Sequence, residues 1–276
     1  MPNTYHRAGH GPHAVIVLHG WFGDARSFHE CEPWLSHDEF SYVFMDYRGY
    51  GGMRDTPGAY TIAEIAQDAI DLADALGLST FSLIGHSMGG MAMERIAVLA
   101  PERVRAMVAV APVPCGGISY DPATRHLLEE AAVHLENRKT IINRSTGERL
   151  PASWIDWKSE YSARHSSGEA FAAYLRAWAD TDFSDEISGR HPVKVIVGEH
   201  DPTFNAGLME RTYLRRYPES SIEVMATVSS SVCCCDSSRD RVSRSSTSCA
   251  MRCDCLRISD SIGPVSGKSS GSIMSR

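Results

Sequence analysis

Gly85-His86-Ser87-Met88-Gly89 lies between a mostly apolar run, Phe81-Ser82-Leu83-Ile84, and a helical stretch from Met88 to Ala100 that Pro101 ends. A G-x-S-x-G turn that joins a buried strand to a helix constrains a chain more than any one element does. Its glycines stand where a Cβ would strike the neighbouring strand or helix, and the sharp turn lifts the serine hydroxyl clear of the backbone. The helix that follows offers unpaired N–H groups and the positive end of its dipole beside that hydroxyl.

The flanking sequence supplies the sheet such a turn needs. Ala14-Val15-Ile16-Val17-Leu18, ending in His19-Gly20, and Tyr42-Val43-Phe44-Met45, ending at Asp46, read as buried strands of a parallel sheet. Between Thr61 and Gly77, Ile62, Ile65, Ala66, Ala69, Leu72, Ala73 and Leu76 recur at the spacing of one helix face. A strand over Val104–Val110 continues the alternation, which predicts an α/β fold: a mostly parallel sheet with helices on both faces. From residue 112 to about 187 the alternation gives way to helices near 122–139, 153–163 and 168–179, the pattern of an inserted helical cap. Strand character returns at 193–197, followed by a helix over about 205–217 and a last strand at 221–225. The expected division is a core of residues 1–111 and 188–225, a cap of residues 112–187, and an atypical tail of residues 226–276.

With 276 residues, 43% of them hydrophobic, the chain can bury a large core without disulfides or metals. Its net charge of −7 argues against a nucleic-acid or anionic-membrane partner, which leaves a small neutral molecule as the expected one. No signal-peptide stretch opens the sequence and no 18-residue apolar run occurs, so a soluble, cytoplasmic protein is expected. Only Cys31 and Cys115 precede residue 226, while six cysteines crowd between Cys233 and Cys255. The tail is rich in Ser, Cys and Arg, has no aromatic residue, and offers too little apolar surface to offset its ordering entropy. It reads as disordered or as translated out of frame. Cys233-Cys234-Cys235 and Cys253-Asp254-Cys255 match no zinc spacing, so neither metal nor cofactor is expected.

Further motifs surround the serine. His19-Gly20-Trp21-Phe22-Gly23 follows an early strand, which would bring a backbone N–H, that of Trp21 with Phe22 in reserve, beside the N–H of Met88 as an oxyanion hole. His19 itself is expected to pin this loop rather than act as a base. Taken in order with Asp46-Tyr47-Arg48-Gly49-Tyr50-Gly51 and Gly198-Glu199-His200-Asp201, these stretches resemble the α/β-hydrolase superfamily with an inserted cap, over about residues 10–225. The resemblance implies Ser87 as nucleophile, Asp201 as the triad acid, and the N–H groups of Trp21 and Met88 as the oxyanion hole. Epoxide hydrolases and haloalkane dehalogenases of the superfamily carry Asp at the elbow, so Ser87 points to acyl chemistry.

The departure from the family is equally informative. Its chain order is Ser, acid, His, with the histidine in a loop after the last strand. That loop should begin near Ala226, yet no histidine occurs beyond His200. His86 lies within the elbow, His200 abuts Asp201, and His126, His134 and His165 belong to the expected cap. The expectation is a carboxylic-ester hydrolase or lactonase working through an acyl-enzyme but impaired by the absent base. The alternatives are an inactive α/β-hydrolase-fold binding protein and a C–C bond hydrolase. In the substrate pocket Phe22, Trp154, Trp157 and Tyr161 are candidate lining residues, with Phe171, Tyr174 and Trp178 beside them; the competing reading is that most of these aromatics simply seat the cap on the core.

Overall fold

A computed structural model describes residues 2–225, so the reading of the tail falls outside the described residues. Seven strands form one sheet: β1 (Tyr5–Ala8), β2 (His13–Leu18), β3 (Phe40–Met45), β4 (Phe81–His86), β5 (Val104–Val110), β6 (Val193–Gly198) and β7 (Ser220–Met225). Their spatial order is β1-β3-β2-β4-β5-β6-β7, with β1 antiparallel to β3 and every other pair parallel. The inner strands are apolar on both faces because both faces are covered. Ile16, Leu18, Leu83, Met107 and Val195 meet helices α1 (Ile62–Ala75) and α2 (Met88–Leu99) on one side, while Val15, Val17, Ile84, Val108 and Ile196 belong to a second core with Phe28 and Cys31.

Between β5 and β6 lie four helices: α3 (Pro122–Glu130), α4 (Leu135–Ser145), α5 (Ala152–His165) and α6 (Gly168–Asp180). After β6 come α7 (Ala206–Arg211) and α8 (Tyr213–Arg216). Thr61 caps α1 by accepting from the Glu64 N–H, and Leu76 and Gly77 end it.

The chain departs from the sequence expectation at three places. β1 is polar and short, with no apolar run to betray it; it forms because His6 stacks on Phe44 at 4.6 Å and its backbone pairs with the edge of β3. The single helix expected near 122–139 is two, since the chain turns at 131–134 and the buried Arg138 donates to the Ala131 carbonyl at 2.8 Å. The helix expected over 205–217 is likewise split, at Thr212, whose φ and ψ of −114° and −80° lie outside the helical range. The edge strand is set by contacts remote in sequence, and the two helix breaks by a short-range side-chain contact and a local backbone choice, none of which apolar periodicity encodes.

Candidate active site

Ser87 stands at the turn from β4 into α2 with φ 53° and ψ −119°, a conformation an L-residue adopts only when its surroundings impose it. Those surroundings are three backbone hydrogen bonds: the Ser87 N–H donates to Val110 O (3.0 Å), and the Ser87 carbonyl accepts from Gly90 N (2.8 Å) and Val113 N (2.9 Å). The glycines are a matter of space. A Cβ on Gly85 would lie 2.5 Å from the Gly89 carbonyl oxygen, and one on Gly89 would collide with the Leu18 carbonyl. Ser87 is half-buried, and Met88, the first residue of α2, has one of the N–H groups that a helix leaves unpaired.

The loop after β2 runs directly over this turn, since a Cβ on Gly20 would fall 3.1 Å from Ser87 Cβ and 2.9 Å from His86 Nδ1. Trp21, the next residue, is clamped from several directions. Its indole N–H donates to Phe171 O at 2.8 Å, its ring stacks on Phe171 at 4.1 Å, and its carbonyl accepts from the Tyr50 hydroxyl at 2.9 Å. His19 is buried and stacks on Tyr47 at 3.8 Å. Its Nδ1 lies 2.9 Å from Gly20 O; a carbonyl only accepts, so Nδ1 carries the proton. Burial, opposed by that bond and by Asp46 and Asp24, holds this imidazole below its ordinary range and therefore neutral. Asp46 ties the loops together: its carboxylate accepts from Ala25 N (2.8 Å), Gly52 N (3.0 Å) and Thr4 Oγ1 (2.8 Å).

Asp201 follows β6 and is buried, its Oδ1 accepting from Thr203 N (2.9 Å) and Phe204 N (2.8 Å). His86 pairs with Val110 in the sheet register and Val110 with Ile196, so the turn at Ser87 and the loop holding Asp201 leave the same end of the sheet. Ser87, Met88, Gly20-Trp21 and Asp201 therefore share the C-terminal edge of the parallel strands, where ligands bind in folds of this kind.

The aromatic candidates separate into two groups. Phe22 is half-buried and bridges them, edge-on to Trp21 (4.8 Å) and Phe171 (5.3 Å) while packing on the small cluster of Ile142, Trp154 and Ile155. Trp154, Trp157 and Tyr161 form a ladder along α5 with centroids 6.1 and 5.5 Å apart. The polar end of Tyr161 is engaged, for its hydroxyl donates to the Asp24 carboxylate at 2.8 Å, which ties α5 to the loop after β2. Arg138 was not legible as a site neighbour: a lone arginine in a polar helix carries no pattern. It is buried, donates to Ala131 O, Ser162 Oγ and Ser166 Oγ, and lies 3.6 Å over the Phe171 ring.

His126 and His200 are exposed, His134 is exposed beside Glu130 (3.1 Å), and His165 Nδ1 bonds to Tyr161 O at 2.8 Å.

A strand–turn–helix serine with the Gly20-Trp21 loop and the loop holding Asp201 at one sheet edge is the arrangement of one large enzyme family, and the family model for the alpha/beta hydrolase fold matches residues 13–213. The chain belongs to the α/β-hydrolase fold family. Among its relatives is the dihydrolipoyllysine-residue acetyltransferase component of the acetoin cleaving system of Cupriavidus necator, 32% identical over 117 residues, or 41% of this chain and 30% of that protein. Another is the fluoroacetate dehalogenase of a Burkholderia species, 32% identical over 111 residues, 38% of this chain and 36% of that protein. The chain thus spans about a third of the length of these two curated relatives. The crystal structure of a bromoperoxidase from Bacillus anthracis superposes with a TM-score of 0.75 at 19% identity, covering 92% of this chain and 93% of the other, which shows a shared fold. Among the described residues no helix is long and apolar enough to cross a membrane.

Proposed function

We propose that this α/β-hydrolase is a serine hydrolase for a small carboxylic ester or lactone, held far below family rates by the absence of its base. The observation that carries the reading is Ser87 at a strained strand-to-helix turn, with Gly20-Trp21 packed over it. In this scheme Ser87 Oγ gives its proton to a base and attacks the carbonyl carbon, the oxyanion is met by the N–H groups of Trp21 and Met88, and the C–O bond to the alcohol breaks as that alcohol takes up the proton and leaves the acyl-enzyme. Asp201 is the acid that would orient a histidine, and water would then release the acyl group. Phe22, Trp154 and Trp157 offer apolar surface for the acyl part, whereas Tyr161 serves chiefly as a tie to Asp24.

A serine at its ordinary pKa is a feeble nucleophile, so everything turns on the proton acceptor. The sequence holds no histidine after His200, where the family places it. That same observation favours the second reading, a binding protein that keeps the pocket without turnover. Steady-state hydrolysis of p-nitrophenyl acetate tests the first. Loss of the base costs on the order of 10⁶ in turnover while oxyanion hole and binding still give about 10³–10⁴ over water, so only trace turnover is expected. Ordinary esterase rates abolished by Ser87→Ala would overturn the impaired state and require a base from elsewhere in the chain.

A further inference from the structure

The indole N–H of Trp178 is buried and, among the described residues, donates to no group of the chain. Buried indoles are normally supplied with an acceptor, and a phenylalanine would fill a purely packing role without the stranded donor. Trp21, its neighbour, follows the rule by donating to Phe171 O. Trp178 stands on α6 with its ring edge-to-face to Trp21 (5.5 Å) on one side and to Tyr120 (6.0 Å) on another. Trp21 belongs to the loop over Ser87, and Tyr120 lies within electrostatic reach of Asp201. The stranded donor is therefore flanked by a residue of the loop over Ser87 and by Tyr120, a residue of the segment between β5 and α3 that feels the charge of Asp201.

The surroundings select the acceptor. Trp21 and Tyr120 are uncharged, and of the two charges felt by Tyr120, the carboxylate of Asp201 repels an anion while the Arg125 guanidinium is taken up by Glu129 and Asp180. The buried cation Arg138 sits on Phe171 and is taken up by Ala131, Ser162 and Ser166. A neutral oxygen suits this environment; a carboxylate or phosphate does not.

We propose that Trp178 is a specificity-determining donor whose N–H binds a neutral oxygen of the substrate. This rests on the Ser87 reading and narrows it: the preferred ester or lactone carries a second carbonyl or ether oxygen a few atoms from the scissile carbonyl. Plain alkyl esters bind less tightly because they leave the donor unpaired.

Binding can be read without turnover. Ethyl 3-oxobutanoate and ethyl butanoate differ by one carbonyl, and indole-¹⁵N labelling gives one signal for each of the five tryptophans. The signal missing from Trp178→Phe identifies Trp178. The expected result is a downfield shift of that signal with the keto ester, which binds about fivefold tighter than the alkyl ester, the worth of one neutral hydrogen bond. The preference should vanish in Trp178→Phe and persist in Ser87→Ala. Should the phenylalanine variant not fold, benzothienylalanine at position 178 replaces N–H by sulfur at nearly constant shape and should equally abolish the preference. Equal affinities for the two esters, or an unmoved Trp178 signal, overturn the proposal. A Trp178-dependent preference in a chain that shows no Ser87-dependent turnover even after a histidine-bearing family-type loop and helix are grafted behind Met225 retains the donor and removes the acyl-enzyme reading.

Discussion

At Ser87 the fold holds a side chain where backbone energetics disfavour it. A non-glycine residue at φ 53° and ψ −119° costs on the order of 1–3 kcal/mol, a cost met by the bonds to Val110, Gly90 and Val113. Glycine adopts this conformation without strain, although its freer unfolded chain gives back roughly 0.5–1 kcal/mol. Ser87→Gly should therefore exceed Ser87→Ala in stability by about 1 kcal/mol in urea denaturation, both variants lacking the hydroxyl. An alanine variant as stable as the glycine variant would show that the turn is unstrained. The turn was legible because its glycines are a steric requirement visible as letters. The clamping of Trp21 by Phe171 and Tyr50 was not, since its partners lie 150 and 29 residues away.

Helix α2 carries the serine at its first turn and a buried carboxyl two turns on. Glu94 accepts from Cys115 N (2.7 Å) and the Tyr217 hydroxyl (3.2 Å), and the same loop returns to the elbow through Val113 N. Burial, only partly opposed by these hydrogen bonds, pushes its carboxyl from 4.5 up to about 7. The folded state consequently holds a proton that the unfolded state has released between about pH 4.5 and 7. Stability from this group is fully present below the unfolded value and is lost as pH rises to the folded one, by about 3 kcal/mol. Thermal melts at pH 5 and pH 8 should show that loss in the parent chain and a much smaller difference in Glu94→Gln. An unchanged pH slope would remove Glu94 as its source. Sequence periodicity placed α2 correctly but gave no sign of this carboxyl: an acidic residue among methionines and alanines reads as an exposed one until Tyr213 and Tyr217 fold over it.

For the molecule as a whole, the core reaches β7 and the family then places its histidine immediately beyond. Grafting a family-type loop and helix bearing that histidine after Met225 should raise ester turnover by at least about 10⁴, and Ser87→Ala should abolish the gain. A correctly folded graft without Ser87-dependent turnover would favour the binding-protein reading. The experiment is feasible because the elements that aim the site, β2, β4, β5 and β6 with their following loops, all precede the graft point.

The amino-acid sequence by itself determined the alternation of strand and helix, the elbow, and the chain order of serine and acidic loop. These depend on local sterics and on apolar periods of two and 3.6, which a linear string carries. It also determined that no histidine follows His200, a matter of composition alone. The tertiary structure alone decided that β1 joins β3 as an edge strand, that the chain breaks between α3 and α4 where Arg138 reaches Ala131, and that Tyr161 is committed to Asp24. It alone left the Trp178 N–H, among the described residues, without a partner. Such features depend on burial and hydrogen-bond geometry that exist only once the chain has folded, and apolar periodicity does not encode them.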